Sequence, residues 1–290
     1  MYQHNDTDPG TAFGFTRRRL VAAGLAVGAT ACVKPAWAAS KGDAAFILSA
    51  GEYQATVSKM ASRGLRPVHI NVASIAGEPR FSAIFTETDG RAWEARHDLT
   101  SSAYQAAFVR FLEQGFRLVR VCGYDKGGET RYAALWEKVR GPAFEARHDM
   151  TVSQYQNTFN DLVARGYQPR QVSGFTVRGE ILFAAIFEAD SATPFSARHD
   201  LTSRRYSAAS SYMTERGYGL HQVSAYAGGL APRFAAIWTK TQTPPQDARF
   251  NLTLADVQMA KTLSPASRLA DIAAYDVNGE ARFAAMWFTD

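Results

Sequence analysis

The chain has 290 residues, 46% hydrophobic and 20% charged, a composition that leaves room for one large or two ordinary globular domains and excludes a disordered chain. The formal charge is +5, but after residue 38 there remain 28 basic and 25 acidic residues, spread without a basic run. That balance excludes the electrostatic footprint of a nucleic-acid or anionic-membrane partner.

The first element in chain order is "TRRRLVAAGLAVGATACVKPAWAAS", residues 16–40. Arg17 and Arg18 precede a weakly apolar stretch from Leu20 to Val33, and Ala36-Trp37-Ala38 forms a small-x-small cleavage pattern. The segment resembles a twin-arginine export signal. Its 14 apolar-stretch residues fall short of the roughly 20 that span a bilayer as a helix. The expectation is therefore a signal peptide over 1–38, no permanent membrane anchor, and a periplasmic or secreted protein over 39–290. Cys32 follows Ala29-Thr30-Ala31, which lacks the large aliphatic residue usual before a lipidated cysteine. Cleavage after Ala38 leaves Cys122 alone, which excludes an internal disulfide and a multi-cysteine metal site.

From residue 44 onward the chain repeats with a period of 51 residues. "ARHDLT" from Ala95, "ARHDMT" from Ala146 and "ARHDLT" from Ala197 are followed one period on by "ARFNLT" and preceded by "AAFILS". Tyr53, Tyr104, Tyr155 and Tyr206 keep the same register, as do Gly64, Gly115, Gly166 and Gly217. Self-similarity of this length outranks any single motif in deciding the fold. Within a unit, Thr100 stands as a helix cap, Tyr104, Phe108, Phe111 and Leu112 follow at helical spacing, and Gly115 ends the helix. Ser49 with Glu52, and Thr151 with Gln154, fit the capping box. "FRLVRVCGY" and "RYAALWEK" then read as strands joined by a turn over Asp125–Glu129, and Asn278-Gly279 marks the same turn in the last unit. A short extended stretch such as "AFEARHDM" hands over to the next cap. The expected unit is helix, strand, strand and short strand, with boundaries near 44–93, 94–144, 145–195, 196–246 and 247–290. The outer units lack His-Asp and the last carries Pro265, as capping repeats require. The fold class is thus an α+β tandem array of five units, either an open arc or a closed ring.

"ARHDLTSSAYQAAF", "ARHDMTVSQYQNTF" and the following "SGF…FAAIF" resemble the tandem repeats in the N-terminal domain of fungal polyglycine hydrolases and of many bacterial secreted proteins. The resemblance covers nearly all of 44–290. It implies a structural repeat scaffold without an established activity of its own, joined in those hydrolases to a β-lactamase-like serine hydrolase domain. No serine here has lysine three residues later, so the Ser-x-x-Lys nucleophile motif is not met, and peptidase activity does not carry over.

The repeated Arg96-His97-Asp98, Arg147-His148-Asp149 and Arg198-His199-Asp200 admit several readings. As structure, the carboxylates lie before a helix and meet its positive end, the arginines pair across the joint between units, and the histidines fill a half-buried slot. As a metal site, three imidazoles would converge on an axis, although adjacent His and Asp on an extended segment point to opposite faces. As a ligand groove, the arginines would hold an anion beside repeated aromatics. A catalytic His-Asp dyad finds no nucleophile motif. Trp136, Trp238, Trp287 and the helix tyrosines read as core, the tyrosine hydroxyls satisfied. The structural reading leads, with no catalytic, metal or cofactor residue assigned and no cofactor required. The functional expectation is an exported, non-enzymatic binding or scaffold protein of the cell envelope, taking an envelope protein, peptide or cell-wall ligand, or serving beside a separately encoded hydrolase. The alternative is an enzyme, hydrolase-associated or metal-dependent, built on the three Arg-His-Asp motifs.

Overall fold

The computed structural model describes residues 42–190, 192–229, 231–240, 247–263 and 267–289. Arg17, Arg18, Cys32 and Pro265 lie outside the described residues. Five units follow one another. The first holds β1 (Gly42–Leu48), α1 (Ala50–Ser62), β2 (Leu65–Ile75) and β3 (Glu78–Glu87). The second holds β4 (Trp93–Leu99), α2 (Ser101–Glu113), β5 (Arg117–Lys126) and β6 (Glu129–Glu137). The third holds β7 (Phe144–Thr151), α3 (Val152–Ala164), β8 (Tyr167–Val177) and β9 (Glu180–Ala189). The fourth holds β10 (Phe195–Thr202), α4 (Ser203–Glu215), β11 (Gly219–Ala227) and β12 (Pro232–Thr239). The fifth holds β13 (Asp247–Leu252), α5 (Leu254–Leu263), β14 (Ser267–Val277) and β15 (Glu280–Thr289).

The helices begin where side-chain oxygens can take the orphan backbone N–H groups. Ser49, Thr100, Thr151 and Thr202 cap α1 to α4, with Glu52 and Gln154 completing the boxes. Thr253 and Asp256 build a box at α5 that the sequence reading passed over. Gly64, Gly115, Gly166 and Gly217 follow the first four helices at φ of 75°, 80°, 82° and 75°, the left-handed region that costs glycine nothing. The hairpin turn is shorter than expected. Asp125 and Lys126 pair with Thr130 and Glu129 in the ladder, leaving Gly127-Gly128 at φ 64° and 79°. Two successive positive-φ residues match the twist of the strands they join.

Each unit forms a three-stranded antiparallel sheet of order β1-β3-β2, repeated as β4-β6-β5 and onward. The short strand therefore pairs within the unit of the helix that follows it, β4 with β6 and β7 with β9. The Arg-His-Asp strand thus opens its unit and does not trail the previous one. A helix of 13 residues is about 20 Å long, enough to return the chain along the sheet so that the strand before it lies against the hairpin's far strand.

The array is a closed ring. Each apolar cluster is shared by two neighbouring units, and the fifth cluster joins Ile84 of the first unit to Val257, Ile272, Phe283 and Trp287 of the last. Phe46 meets Phe283 edge-on at 6.3 Å, the Asn71 Oδ1 accepts the Ala274 N–H at 2.9 Å, and Asp276 Oδ2 accepts the Ala76 N–H at 2.6 Å. The strands β2, β5, β8, β11 and β14 form the inner circle, since residues from all five line one small pit of about 50 Å³.

An inner strand has a free edge, and such an edge needs partners for its backbone groups. Side chains one unit on supply them. The Gly123 N–H donates to Ser173 Oγ at 3.1 Å, the Gly174 N–H to Ser224 Oγ at 2.9 Å and the Val72 N–H to Cys122 Sγ at 3.1 Å. Gln171 accepts from Val121 N–H at 3.2 Å and donates to its carbonyl at 2.9 Å, and Gln222 repeats the clamp on Val172.

Candidate functional site

The Arg-His-Asp segments occupy a β-bulge. Pairing of β4 with β6 slips between Arg96 and Leu99, and the same slip recurs in the other four units. The bulge places Asp98, Asp149 and Asp200 at φ of 58°, 52° and 53°, a conformation that Asp and Asn tolerate better than other side chains. The strand alternation assumed from the sequence is broken there.

Each ring from the His position crosses the joint and stands edge-on to an aromatic pair of the preceding unit. His97 lies 5.5 Å from Tyr53 and 5.2 Å from Phe81, His148 lies 4.9 Å from Tyr104 and 5.5 Å from Tyr132, and His199 lies 5.1 Å from Tyr155 and 5.6 Å from Phe183. Phe250 takes the same pose on Tyr206 and Phe234 at 5.3 and 5.7 Å. Burial lowers the pKa of His97 and His199, partly countered by Asp98 and Asp200. His199 Nε2 lies 2.9 Å from Gln156 Oε1, so it carries the proton and donates. The three imidazoles sit at three separate joints, and among the described residues no three His, Cys, Asp or Glu side chains are grouped to hold a metal ion.

The carboxylates do not act as helix caps, which is the work of the following threonines. Asp98 meets Lys126 at 2.7 Å and Arg131 at 3.4 Å, and Asp200 meets Arg233 at 3.4 Å. Their backbone N–H groups donate to tyrosine hydroxyls, Asp98 to Tyr124 at 3.0 Å and Asp200 to Tyr226 at 3.2 Å. In the third unit Phe175 stands at that tyrosine position. There the hydroxyl comes from the preceding unit instead: Tyr132 accepts the Asp149 N–H at 3.1 Å and donates to Asp149 Oδ1 at 2.7 Å.

The arginines pair along their own strand, a correction of the expected pairing across the joint. Arg96 binds Glu94 at 2.7 Å and Arg147 binds Glu145 at 2.5 Å. Arg198 has Ser196 at the corresponding place and lies 5.8 Å from the Tyr212 ring centroid instead. Trp136, Trp238 and Trp287 are buried, as are Tyr53 and Tyr104, but among the described residues the hydroxyls of those two tyrosines have no hydrogen-bond partner, against expectation.

Two further features escaped the sequence. A shallow concavity of about 590 Å³ opens beside His199, lined by Thr151, Ser153, Gln156, Glu180 and Ile181. At the inner strands, the 51-residue register also relates His69, Arg120, Gln171, Gln222 and Asp271, the last offset by two residues. His69 Nε2 lies 2.8 Å from the Ile272 carbonyl, Nδ1 lies 3.1 Å from Asp271 Oδ1, and Arg120 reaches to 3.8 Å from that oxygen. Burial and the Arg120 charge hold His69 down at about 4, against the pull of Asp271. The signal was present as polar residues on otherwise apolar strands.

Five stretches of the chain, 34–88, 90–139, 141–190, 192–241 and 243–288, match a family model described as polyglycine hydrolase-like, structural repeat.

Proposed function

The chain belongs to the polyglycine hydrolase-like structural repeat family, and from that premise we propose that it is an exported, non-enzymatic binding or scaffold protein of the cell envelope. The observation that carries this reading is the use made of Arg-His-Asp. Histidine, arginine and aspartate are each engaged by neighbouring side chains or backbone at the bulge, and phenylalanine fills the histidine slot at another joint. A group so placed serves packing first. The outer helices are what the ring presents to a partner, and their exposed residues differ from unit to unit more than the aromatic joints do. A protein, a peptide or a wall polymer fits such a surface, and a separately encoded hydrolase is one such protein.

The test is crosslinking of the tagged mature protein in the periplasm, followed by mass spectrometry of what is recovered. A reproducible stoichiometric partner is the expected result. Saturable turnover of an envelope substrate by the purified ring, lost in His97→Ala at unchanged melting temperature, overturns it.

A further inference from the structure

The repeats serve as one another's controls, and the third and fourth units differ at one instructive place. In the third unit, buried Glu145 is clamped between Arg147 of β7 at 2.5 Å and Arg165 at the end of α3 at 3.1 Å. Asp161, four residues before Arg165, adds a second carboxylate at 3.3 Å. One period later both arginines persist, as Arg198 and Arg216, and both carboxylates are gone: Ser196 replaces Glu145 and Tyr212 replaces Asp161. The other units keep an acidic residue at the first place. Asp43 binds Arg63, Glu94 binds Arg96 and Asp247 binds Arg249.

What remains in the fourth unit is a pair of guanidinium groups around an aromatic ring. Arg216 lies 3.5 Å from the Tyr212 centroid and Arg198 lies 5.8 Å from it. Tyr212 is one of two large hydrophobic side chains exposed among the described residues, at 44%. Arg205 stands seven residues before Tyr212, on the same stripe of α4, and Arg204 is beside it, both exposed. Among the described residues none of these four arginines has a carboxylate within ion-pair distance. Residues 192–241 hold six basic side chains against Asp200 and Glu215, and Asp200 is taken by Arg233. Arg216 spends Nη1 on the Tyr212 carbonyl at 3.4 Å, and the rest of its stacked guanidinium remains a donor edge of the kind that binds carboxylates. Tyrosine and arginine together are also the side chains most enriched where protein partners bind tightly.

We propose that this face of the fourth unit, Arg198, Arg216, Tyr212 and Arg205, docks an acidic segment of a partner protein, with an Asp or Glu side chain entering where Glu145 sits in the third unit. The internal precedent is a carboxylate, which favours an acidic peptide over a phosphorylated lipid or nucleic acid. The proposal rests on the reading of the ring as a binding module and names one of its surfaces.

The probe is a fluorescein-labelled decaglutamate peptide, its binding to the full chain followed by anisotropy from about 20 to about 200 mM NaCl, over which the Debye length falls from about 20 to about 7 Å. Wild type binds and weakens with salt. Ser196→Glu restores the internal carboxylate and reduces affinity at least about tenfold, a loss of about 1.4 kcal/mol, at an equal or higher melting temperature. Ser196→Gln, of the same size without charge, binds like wild type. Equal affinity for Ser196→Glu and Ser196→Gln overturns the proposal, as does binding to phosphatidylserine vesicles with none to the peptide. If crosslinking recovers the same partner with wild type and Ser196→Glu, this surface is wrong while the binding-module reading stands.

Discussion

The slot above each aromatic pair accepts an aromatic plane, and the imidazole's ability to ionise plays no part in filling it. Phe250 and His199 stand on their neighbours at nearly the same distance and tilt, 84° and 87° against the tyrosine. His97 Nδ1 is buried without a hydrogen bond among the described residues, so that nitrogen adds nothing to the ring's hold there. His97→Phe is accordingly expected to hold folding stability within about 1 kcal/mol of wild type, whereas His97→Ala opens a cavity and costs about 2 kcal/mol. Urea denaturation of the two variants checks this, and a Phe variant as damaged as the Ala variant would show that the polar ring is needed. The aspartate beside it answers a different demand. Its backbone adopts the left-handed region, where Asn251 serves as well and where Ile47, at φ 57°, is strained by roughly 1–2 kcal/mol. Asp149→Ala both loses that tolerance and strips Tyr132, a buried ring, of its acceptor. The expected cost is about 2–3 kcal/mol, read by the same denaturation curves, and an unchanged midpoint would contradict the role assigned to the hydroxyl.

The elements themselves divide by how local their causes are. Caps, helix-ending glycines and Asn278-Gly279 could be read from a few adjacent residues, because a side-chain oxygen three residues from an N–H, or a residue forced to positive φ, decides each without reference to the rest of the chain. The partner of the short strand could not. Its position before one helix and after another leaves both pairings open in the sequence, and tertiary packing selects the ladder of β4 with β6. The edge of the inner strands lies between these cases. Asn71, Cys122, Ser173 and Ser224 share one register, and a polar residue repeated on an apolar strand is a visible sign that a backbone group needs a partner elsewhere. Cys122 is there a hydrogen-bonding group, accepting from Val72 N–H, with burial pushing its thiol up and away from reactivity. Cys122→Ser should therefore fold as wild type does, following Ser173, while Cys122→Val leaves the Val72 N–H orphaned at a cost of about 1–3 kcal/mol. Equal stability of the two variants, by denaturant titration, would remove the cap from the account.

Closing the ring asks the first and last units to recognise each other across 203 residues, and on the inner strands a histidine and an asparagine do so. No local pattern announces such a contact, which is why arc and ring were equal expectations from the sequence. His69 donates from Nε2 to the Ile272 carbonyl in either protonation state, and the groups that face it are Arg120 and Asp271. Burial and Arg120 hold its folded pKa at about 4, against about 6.5 in an unfolded chain. Between those values the unfolded chain takes up a proton that the ring refuses, so this contribution is complete above about pH 6.5 and is lost as pH falls toward 4. Its slope approaches about 1.4 kcal/mol per pH unit midway through the window. His221, held at about 4 by burial, Arg170 and Arg120 against Asp271, adds in the same direction. Carboxylates titrate at the acid end of this range and blur the total, so the informative comparison is between variants. Glutamine already clamps the neighbouring strand at positions 171 and 222, and His69→Gln can keep a donor on Ile272 while removing the proton uptake. Melting temperatures of wild type and His69→Gln are expected to converge between pH 7 and pH 4.5, the wild type falling faster. A wild type that instead gains on His69→Gln as pH falls would mean that His69 is charged in the closed ring, paired with Asp271.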